Sequence, residues 1–300
     1  MVFVHSAFLY ADDAAYASTL SGFVRDGLAG GEAVAVAAPA DRIRILREAL
    51  GGDAAEVRFL PADEWFVRPV RTIAAWSHIL RDAVRGGRLI SHLPDAGRAV
   101  SWVRFEAALN RSLSGLHGHM VCPYDQRSLT GPAGRTHPWL HDGGWGENAG
   151  YESPEQVLAG LPEPPWPVTG APVLAVPVGD TVAGLRADIR ARALAEGWLP
   201  PARLDNLLLA LSELVTNGIR HGGPHRELRL WVTADAVVCE VTDDGPVPPA
   251  PLAGYLPPSA GRPGGMGLWL VEHLCDAMSI HQAGGITRAR FALRRDVSGS

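Results

Sequence analysis

Lysine is absent from this chain of 300 residues, so all 27 basic side chains other than histidine belong to arginine. The absence excludes a phosphate-binding loop of the Walker type and any chemistry that needs a lysine Schiff base. The net charge is −5, and the basic residues form no run. This charge pattern is not that of a nucleic-acid binder, so we expect no direct contact with nucleic acid.

Cysteine is scarce, and long apolar runs are missing. Cys122, Cys239 and Cys275 are odd in number and widely spaced, which does not favour a disulfide framework. The first ten residues lack the basic region of a secretory signal, and no apolar run reaches the ~18 residues that span a bilayer. We therefore expect a cytoplasmic protein with reduced thiols and no membrane contact.

The length favours two domains, because single hydrophobic cores rarely grow to this size. In the front part, apolar segments of strand length alternate with segments of helical periodicity, which predicts an α/β domain with a mostly parallel sheet. The predicted strands are 2–10, 33–38, 56–60, 88–93 and 120–124, and the predicted helices are 13–28, 42–50, 76–84 and 102–113.

The periodicity fails from Trp139 to Pro172, where closely spaced prolines suit a stiff extended linker. Beyond it the pattern predicts an α/β sandwich, and the boundaries become 1–150 for the front domain, 151–172 for the linker and 173–295 for the rear domain. The rear elements are an edge strand 173–178, helices 181–196 and 202–221, paired strands 228–232 and 237–242, a proline-rich loop 245–262, a helix 267–277, and a hairpin of 279–282 with 289–293.

Glu213 and Asn217 lie four residues apart on the second rear helix, so they project from one face. A carboxylate beside an amide oxygen suits Mg²⁺, whose other ligands are water and phosphate oxygens. The carboxylate can also polarise a water or hydroxyl that attacks a γ-phosphate. A separate apolar stripe holds the helix to a core: Leu204, Leu208, Leu211 and Val215.

Two further segments complete a nucleotide site. Asp243 ends an alternating strand, where its carboxylate can accept a hydrogen bond from a purine amino group, and Gly245 lets the base approach the backbone. The glycine loop at 264–267 opens a helix, whose free N–H groups and positive dipole end favour phosphate oxygens. Arg262 lies in the loop before it and is a candidate to steady the γ-phosphate in place of a lysine.

In this order the segments resemble the ATP-binding domain shared by gyrase, Hsp90-type chaperones, histidine kinases and MutL, the GHKL superfamily. Within it the likeness is to the small anti-sigma-factor serine kinases of bacterial stress and sporulation switches. The resemblance covers roughly residues 173–295. The matching boxes are Leu211-Ser-Glu-Leu-Val-Thr-Asn-Gly-Ile-Arg-His221, Asp243-Asp-Gly-Pro246 and Gly265-Met-Gly-Leu-Trp-Leu-Val271, with Val247 where the second box usually has a last glycine.

The resemblance implies ATP and Mg²⁺ as cofactors, Glu213 as the catalytic base, Asn217 as the metal ligand and Asp243 as the adenine contact. It implies two kinds of partner, a sigma factor and a STAS-type antagonist protein phosphorylated on Ser or Thr, and a homodimer is compatible with it. The implied nucleotide-binding set is Asn217, His221, Asp243, Gly245, Arg262, Gly264, Gly265, Met266, Gly267 and Leu268.

Two alternatives stay open. An ATP-binding switch that captures a partner without transferring phosphate would keep the same boxes. A histidine kinase would carry a phosphoacceptor histidine on a dimerising helical hairpin before the ATP domain, whereas the proline-rich segment stands there in this chain.

The front part resembles the MEDS domain, a sensory module of methanogens and methylotrophs, which implies that it senses a small-molecule signal. The likeness is carried by His5-Ser-Ala-Phe-Leu-Tyr10, Phe105-Glu-Ala-Ala-Leu-Asn110 and Val121-Cys-Pro-Tyr-Asp125. Candidate ligand contacts are His5, Glu106, Tyr124 and Asp125, of which the last two end a strand where open α/β sheets bind ligands.

Two residue patterns in the front part allow other interpretations. Glu106 also fits a surface ion-pair face, since Arg104 and Asn110 stand near it on the same helix. The run from His117 through His119 to Cys122 has the composition of a zinc site, but no second ligand cluster at suitable spacing accompanies it. Zinc binding by this run alone is therefore not favoured.

Overall fold

The structure is a computed structural model that describes residues 3–93, 100–126, 133–141, 143–162, 166, 168, 170–179, 181–246, 250–256 and 265–295. The chain divides into two compact units, Met1–Leu161 and Pro162–Ser300, here called the front unit and the rear unit. Each unit has its own sheet.

The front unit contains a mixed, mostly parallel sheet. Its strands are β1 (Val4–Tyr10), β2 (Ala33–Ala38), β3 (Arg58–Pro61), β4 (Gly87–Ser91), β5 (Gly118–Asp125), β6 (Trp139–His141) and β7 (Trp145–Glu147). They lie in the order β3-β2-β4-β5-β1-β6-β7. All neighbouring pairs are parallel except β6 with β7, which are antiparallel. The fold class predicted for this half is confirmed.

Seven helices accompany this sheet in the described residues: α1 (Asp13–Ala29), α2 (Ala40–Leu50), α3 (Ala62–Trp65), α4 (Pro69–Asp82), α5 (Val100–Ser112), α6 (Ala133–Thr136) and α7 (Pro154–Ala159). A short 3-10 helix over Gly51–Glu56 follows α2. Helix α1 begins after Asp12, whose side chain accepts a hydrogen bond from the Ala15 N–H. Helix α4 starts at Pro69, earlier than predicted, because proline suits the first helical position.

The segment from Trp139 to Pro172 is more regular than its sequence suggests. Strands β6 and β7 form a hairpin on the edge of the sheet, and α7 lies inside the stretch predicted as linker. Helix α7 begins with a capping box, in which Ser153 and Gln156 each accept a hydrogen bond from the other's backbone N–H. The expectation of an extended linker is wrong for this helix, since its six residues are too few to show a periodicity.

The rear unit is an α/β sandwich, as predicted. Its elements are β8 (Leu174–Pro177), α8 (Ala183–Ala195), α9 (Pro201–His221), β9 (Arg226–Val232), β10 (Ala236–Asp243), α10 (Met266–Leu274), β11 (Ala277–Ala283) and β12 (Ile286–Arg294). The strand order is β11-β12-β10-β9-β8, with every neighbouring pair antiparallel. Strand β8 lies at one edge, as its sequence predicts.

Helix α9 packs on the centre of this sheet. The predicted apolar stripe of Leu204, Leu208, Leu211 and Val215 is buried, and it meets Cys239, Val241 and Phe291 of the sheet in one core. Helix α10 ends before the predicted Ala277, because the Asp276 N–H donates to the Ala292 carbonyl and the chain enters the sheet there. The buried stripe leaves the polar face of α9 turned away from the core.

No helix in the described part of the chain is long and apolar enough to cross a membrane. All three cysteines are buried thiols.

Candidate functional site

A cavity of about 570 Å³ opens in the rear unit. Helix α9, strand β10, the hairpin of β11 and β12, and the start of α10 surround it. Its floor is apolar, with Leu214, Val241, Ile280 and Ala289 in the lining, and Asn217 and Asp243 supply polar groups. A concave, mostly apolar site of this size with few polar groups is typical of small-molecule binding.

Asn217 brings an unsatisfied amide to this cavity. Its Nδ2 is buried and finds no hydrogen-bond partner within the described residues. A buried donor left without an acceptor costs about 1–3 kcal/mol, which an oxygen-rich ligand would offset. A half-turn about the Cβ–Cγ bond exchanges the amide nitrogen and oxygen, so the same side chain can present an oxygen to a cation.

Glu213 lies one turn earlier on α9, beside the start of α10. A Cβ built on Gly267 would collide with the Glu213 Oε2, so the carboxylate touches the backbone of the first turn of α10. The first N–H groups of a helix have no partner inside the helix, and they carry the positive end of its dipole. The candidate base therefore stands next to the predicted phosphate-binding end of the cavity.

Asp243 lies at the other end, where β10 finishes. Its Oδ1 accepts a hydrogen bond of 2.9 Å from the Gly245 N–H, and Asp243 faces Thr287 across the β10–β12 ladder. The Gln282 Nε2 donates to the Gly245 carbonyl and the Thr287 Oγ1, at 3.3 Å each. This network orients the Asp243 carboxylate at the cavity wall.

The carboxylate of the adjacent Asp244 is hydrogen-bonded to His225. It accepts the backbone N–H of His225 at 3.0 Å and contacts the His225 ring nitrogen at 2.6 Å. These hydrogen bonds hold the pKa of Asp244 below its usual value. Of the two neighbouring acids, only Asp243 therefore remains available to a ligand in the cavity.

In the front unit, several of the candidate sensory residues meet in one buried network. The Tyr124 hydroxyl and the Thr136 hydroxyl both donate to the Glu106 carboxylate, and the His5 Nδ1 contacts the Asn110 Oδ1 at 3.1 Å. Glu106 is only 2% exposed, so the surface ion-pair interpretation is wrong. Asp125 follows Tyr124 on the opposite face of β5.

The run from His117 to Cys122, in which zinc binding was not favoured, does not form one site. His117 is exposed, and the His119 Nε2 lies 2.9 Å from the Ser6 Oγ on the sheet face opposite to Cys122. Side chains on a strand alternate between faces, so positions 119 and 122 cannot share one site.

Two family models match the chain, one in each unit. Residues 179–291 match the model described as a histidine kinase-like ATPase domain. Residues 4–138 match the model described as MEDS, the methanogen/methylotroph DcmR sensory domain. This chain joins a MEDS domain to a histidine kinase-like ATPase domain. No curated protein sequence matches it.

A solved structure similar to part of the chain is described as the RsbU and RsbW domains of Rv1364c from Mycobacterium tuberculosis. The two sequences are 21% identical, and the TM-score is 0.29. The match covers 40% of this chain and 32% of that chain, so this chain spans about a third of that protein.

The predicted nucleotide-binding residues of the ATPase domain do not all line the cavity. His221, Gly265, Gly267 and Leu268 lie in its lining together with Asn217 and Asp243, and Met266 is exposed outside it. Arg262, Gly264 and the departure at Val247 lie outside the described residues. From the sequence alone, the glycine at position 245 is explained by the close approach of the purine base to the backbone. In the structure the Gly222 backbone occupies that space, since an added Cβ would lie 2.9 Å from the Gly222 Cα.

Sequence reasoning missed the wall supplied by the hairpin. Ile280 on β11, and Thr287 and Ala289 on β12, line the cavity of the ATPase domain. The alternation along β12 was a usable signal, because residues 287 and 289 share one face and stand opposite Asp243 and Val241. The register in which β12 pairs with β10, however, is known only from the tertiary structure.

Gly265 has a backbone that other residues adopt with difficulty. Its φ is 84°, in the left-handed region, at the N-cap of α10. We expect Gly265→Ala to lower the free energy of unfolding by about 1–2 kcal/mol, because a Cβ is strained there. Urea unfolding measures this loss. Gly184→Ala in α8 is the matched control, since neither added Cβ meets an atom within 4 Å. A loss at Gly184 as large as that at Gly265 would contradict the assignment of the effect to strain.

Burial raises the pKa of Glu106 to about 8. The folded state therefore holds this proton more tightly than the unfolded state. Its contribution to stability is complete below pH 4.5 and is lost as the pH rises through about 8. In that window we expect Glu106→Gln to remove a dependence of up to about 1.4 kcal/mol per pH unit from the free energy of unfolding. Glu48→Gln, at an exposed carboxylate, is the control and should leave the profile unchanged. If the free energy of unfolding of Glu106→Gln depended on pH as it does in the wild type, Glu106 would not be a buried, protonated carboxyl group.

Proposed function

We propose that this chain is a signal-responsive regulator whose rear domain is an ATP-dependent protein serine kinase. Its substrate is a STAS-type antagonist protein, and its other partner is a sigma factor that the same domain binds as an anti-sigma factor. The MEDS domain receives the signal, a small molecule. Three sequence boxes that resemble those of the anti-sigma-factor kinases support the proposal, and so does the family of the rear domain.

The contact between Glu213 and the start of α10 is the observation that best supports the proposed kinase activity. A general base must stand within reach of the hydroxyl that attacks the γ-phosphate. Glu213 and Gly222 are nine residues apart on or beside α9, which separates them by about 13 Å along the helix axis. That distance allows the adenine ring of ATP to lie near Gly222 and Asp243 while its phosphates lie beside Glu213 and Gly267.

The remaining side chains then have separate tasks. Asn217 holds the magnesium ion, and Asp243 accepts the purine amino group with its carboxylate oriented by the Gly245 N–H. Magnesium neutralises phosphate charge when it is bound. The first N–H groups of α10 receive phosphate oxygens. His221, at the exposed rim, borders the ribose-phosphate region, and we assign Arg262 to the γ-phosphate.

The acceptor hydroxyl comes from another protein. Between residues 143 and 179, the helical residues in the described part of the chain are those of α7, which is six residues long. A helix of this length does not form the dimerising hairpin of a histidine kinase. This favours phosphorylation of a partner brought to the cavity.

Incubation of the full chain with γ-labelled ATP, Mg²⁺ and a STAS-domain antagonist protein tests the proposal. We expect acid-stable label on a Ser or Thr of the antagonist. Acid-labile label on the chain itself would identify a histidine kinase and overturn the proposal. Capture of the antagonist that depends on nucleotide, with no label on either protein, would identify a binding switch and overturn the kinase activity.

A further inference from the structure

Two imidazoles and a thiol converge in the interior of the MEDS domain. His5 comes from β1, Cys122 from the neighbouring parallel strand β5, and His137 from the segment between α6 and β6. His5 and Cys122 are each 1% exposed, and His137 is fully buried. One ligand atom from each residue lies within 4.8 Å of the others. The sequence does not suggest this cluster, because its members are 117 and 15 positions apart.

The contacts between these side chains define which atoms face the centre. The His5 Nε2 lies 3.3 Å from the Cys122 Sγ, and the rings of His5 and His137 are 4.1 Å apart between centroids. Two imidazoles and a thiol are a ligand set of nitrogen and sulfur, which suits thiophilic cations rather than Mg²⁺ or Ca²⁺.

The second nitrogen of each imidazole has a hydrogen-bond partner that fixes its tautomer. The His5 Nδ1–H donates to the Asn110 Oδ1 at 3.1 Å, and the Asn110 Nδ2 in turn donates to the Thr136 carbonyl at 2.7 Å. The His137 Nδ1 lies 3.0 Å from the Thr136 Oγ1, whose hydroxyl donates to the Glu106 Oε2 at 3.2 Å. Both histidines therefore keep their lone pair on Nε2, as metal-ligating histidines with oriented outer partners do.

We propose that His5, Cys122 and His137 form a zinc site in the MEDS domain. The Cys122 thiol releases its proton to solvent as the Zn–S bond forms, and two imidazole nitrogens complete three protein ligands. A fourth position is left for water or for a small ligand with an oxygen, nitrogen or sulfur donor. This last step rests on the sensory role proposed above, and it implies that the sensed molecule carries such a donor atom.

The ligand set favours Zn²⁺ over Cu⁺ at this site. Two of the three ligands are imidazoles, which suit Zn²⁺, whereas sets of thiolates and thioethers select Cu⁺. Three protein ligands with an open fourth position also match the coordination of zinc sites that bind a small molecule. The Thr136 hydroxyl lies between the His137 Nδ1 and the Glu106 carboxyl group, so it links the cluster to the buried network around Tyr124.

Titration of the reduced full chain with Co²⁺ tests the site, because Co²⁺ gives a thiolate charge-transfer band in the near ultraviolet. We expect one equivalent to bind, and Zn²⁺ to displace it. Cys122→Ser should abolish the band, and His137→Ala should weaken binding by more than about 100-fold. Cys239→Ser removes a thiol that is equally buried but lies in the ATPase domain, so it should leave the band unchanged.

Asn110→Ala separates a metal site from a merely structural cluster. The three ligands remain, so the band should persist while the affinity falls by about 10- to 100-fold. Melting curves of the variants in chelator verify that each one folds. Failure of the folded wild type to bind Co²⁺ or Zn²⁺, a band that survives in Cys122→Ser, or saturation by Cu⁺ alone would overturn the zinc site.

Discussion

Replacement of Glu213 by glutamine is expected to slow phosphoryl transfer to the antagonist by about 100- to 10,000-fold, the range over which general-base catalysis contributes. Glutamine keeps the shape of the side chain beside Gly267, so the cavity is preserved. It cannot accept the proton of the attacking hydroxyl. The affinity for ATP should therefore change by no more than a few-fold, and initial rates of label transfer together with calorimetry separate the two quantities.

The matched control is Asp205→Asn on the same helix. Asp205 is exposed and pairs with Arg190 at 2.7 Å, two turns away from Glu213. Its amide variant should transfer phosphate at the wild-type rate. A Glu213→Gln protein that transfers label as fast as the wild type would remove Glu213 from catalysis, and equal losses in both variants would indicate a general effect of charge on the helix.

Asn217→Ala should weaken the binding of ATP in the presence of Mg²⁺ by about 10- to 100-fold. The change removes a metal ligand, and a polar contact to a charged group is worth about 1.5–3 kcal/mol. Without ligand the expectation differs, because the Asn217 Nδ2 is buried and unsatisfied. The nucleotide-free variant should therefore unfold within about 1 kcal/mol of the wild type, so affinity falls while stability does not.

Calorimetry with and without Mg²⁺ measures the first quantity, and urea unfolding measures the second. Asn206→Ala provides the control, since this amide lies on the same helix three turns before Asn217 and outside the cavity. Its affinity for ATP should equal that of the wild type. If Asn217→Ala binds ATP as well as the wild type does in Mg²⁺, Asn217 is not a metal ligand.

The rear domain was predictable because its determinants are local. The apolar stripe of α9 and the i, i+4 spacing of Glu213 and Asn217 follow from helix geometry alone. The turn residues around Gly245 and Gly265 mark where strand and helix change direction. The wall formed by Ile280 and Thr287 was not predictable in this way, because it depends on how β11 and β12 pair with β10.

The centre of the front domain, in contrast, was not predictable from local sequence patterns. The alternation of strands and helices predicts its sheet, since periodicity is a property of consecutive residues. The burial of Glu106 and the meeting of His5, Cys122 and His137 depend on packing. The sequence pattern of a helix does not show whether its polar side chains are exposed to solvent or buried against another element.

The amino-acid sequence by itself determined the class of each domain and the order of the nucleotide boxes. These properties arise from spacing along a helix, a strand or a loop. The tertiary structure alone decided that Glu213 touches the first turn of α10 and that His5, Cys122 and His137 meet in one buried cluster. Contacts between residues far apart in the chain depend on the strand order of the sheet and on the sheet face against which each helix packs.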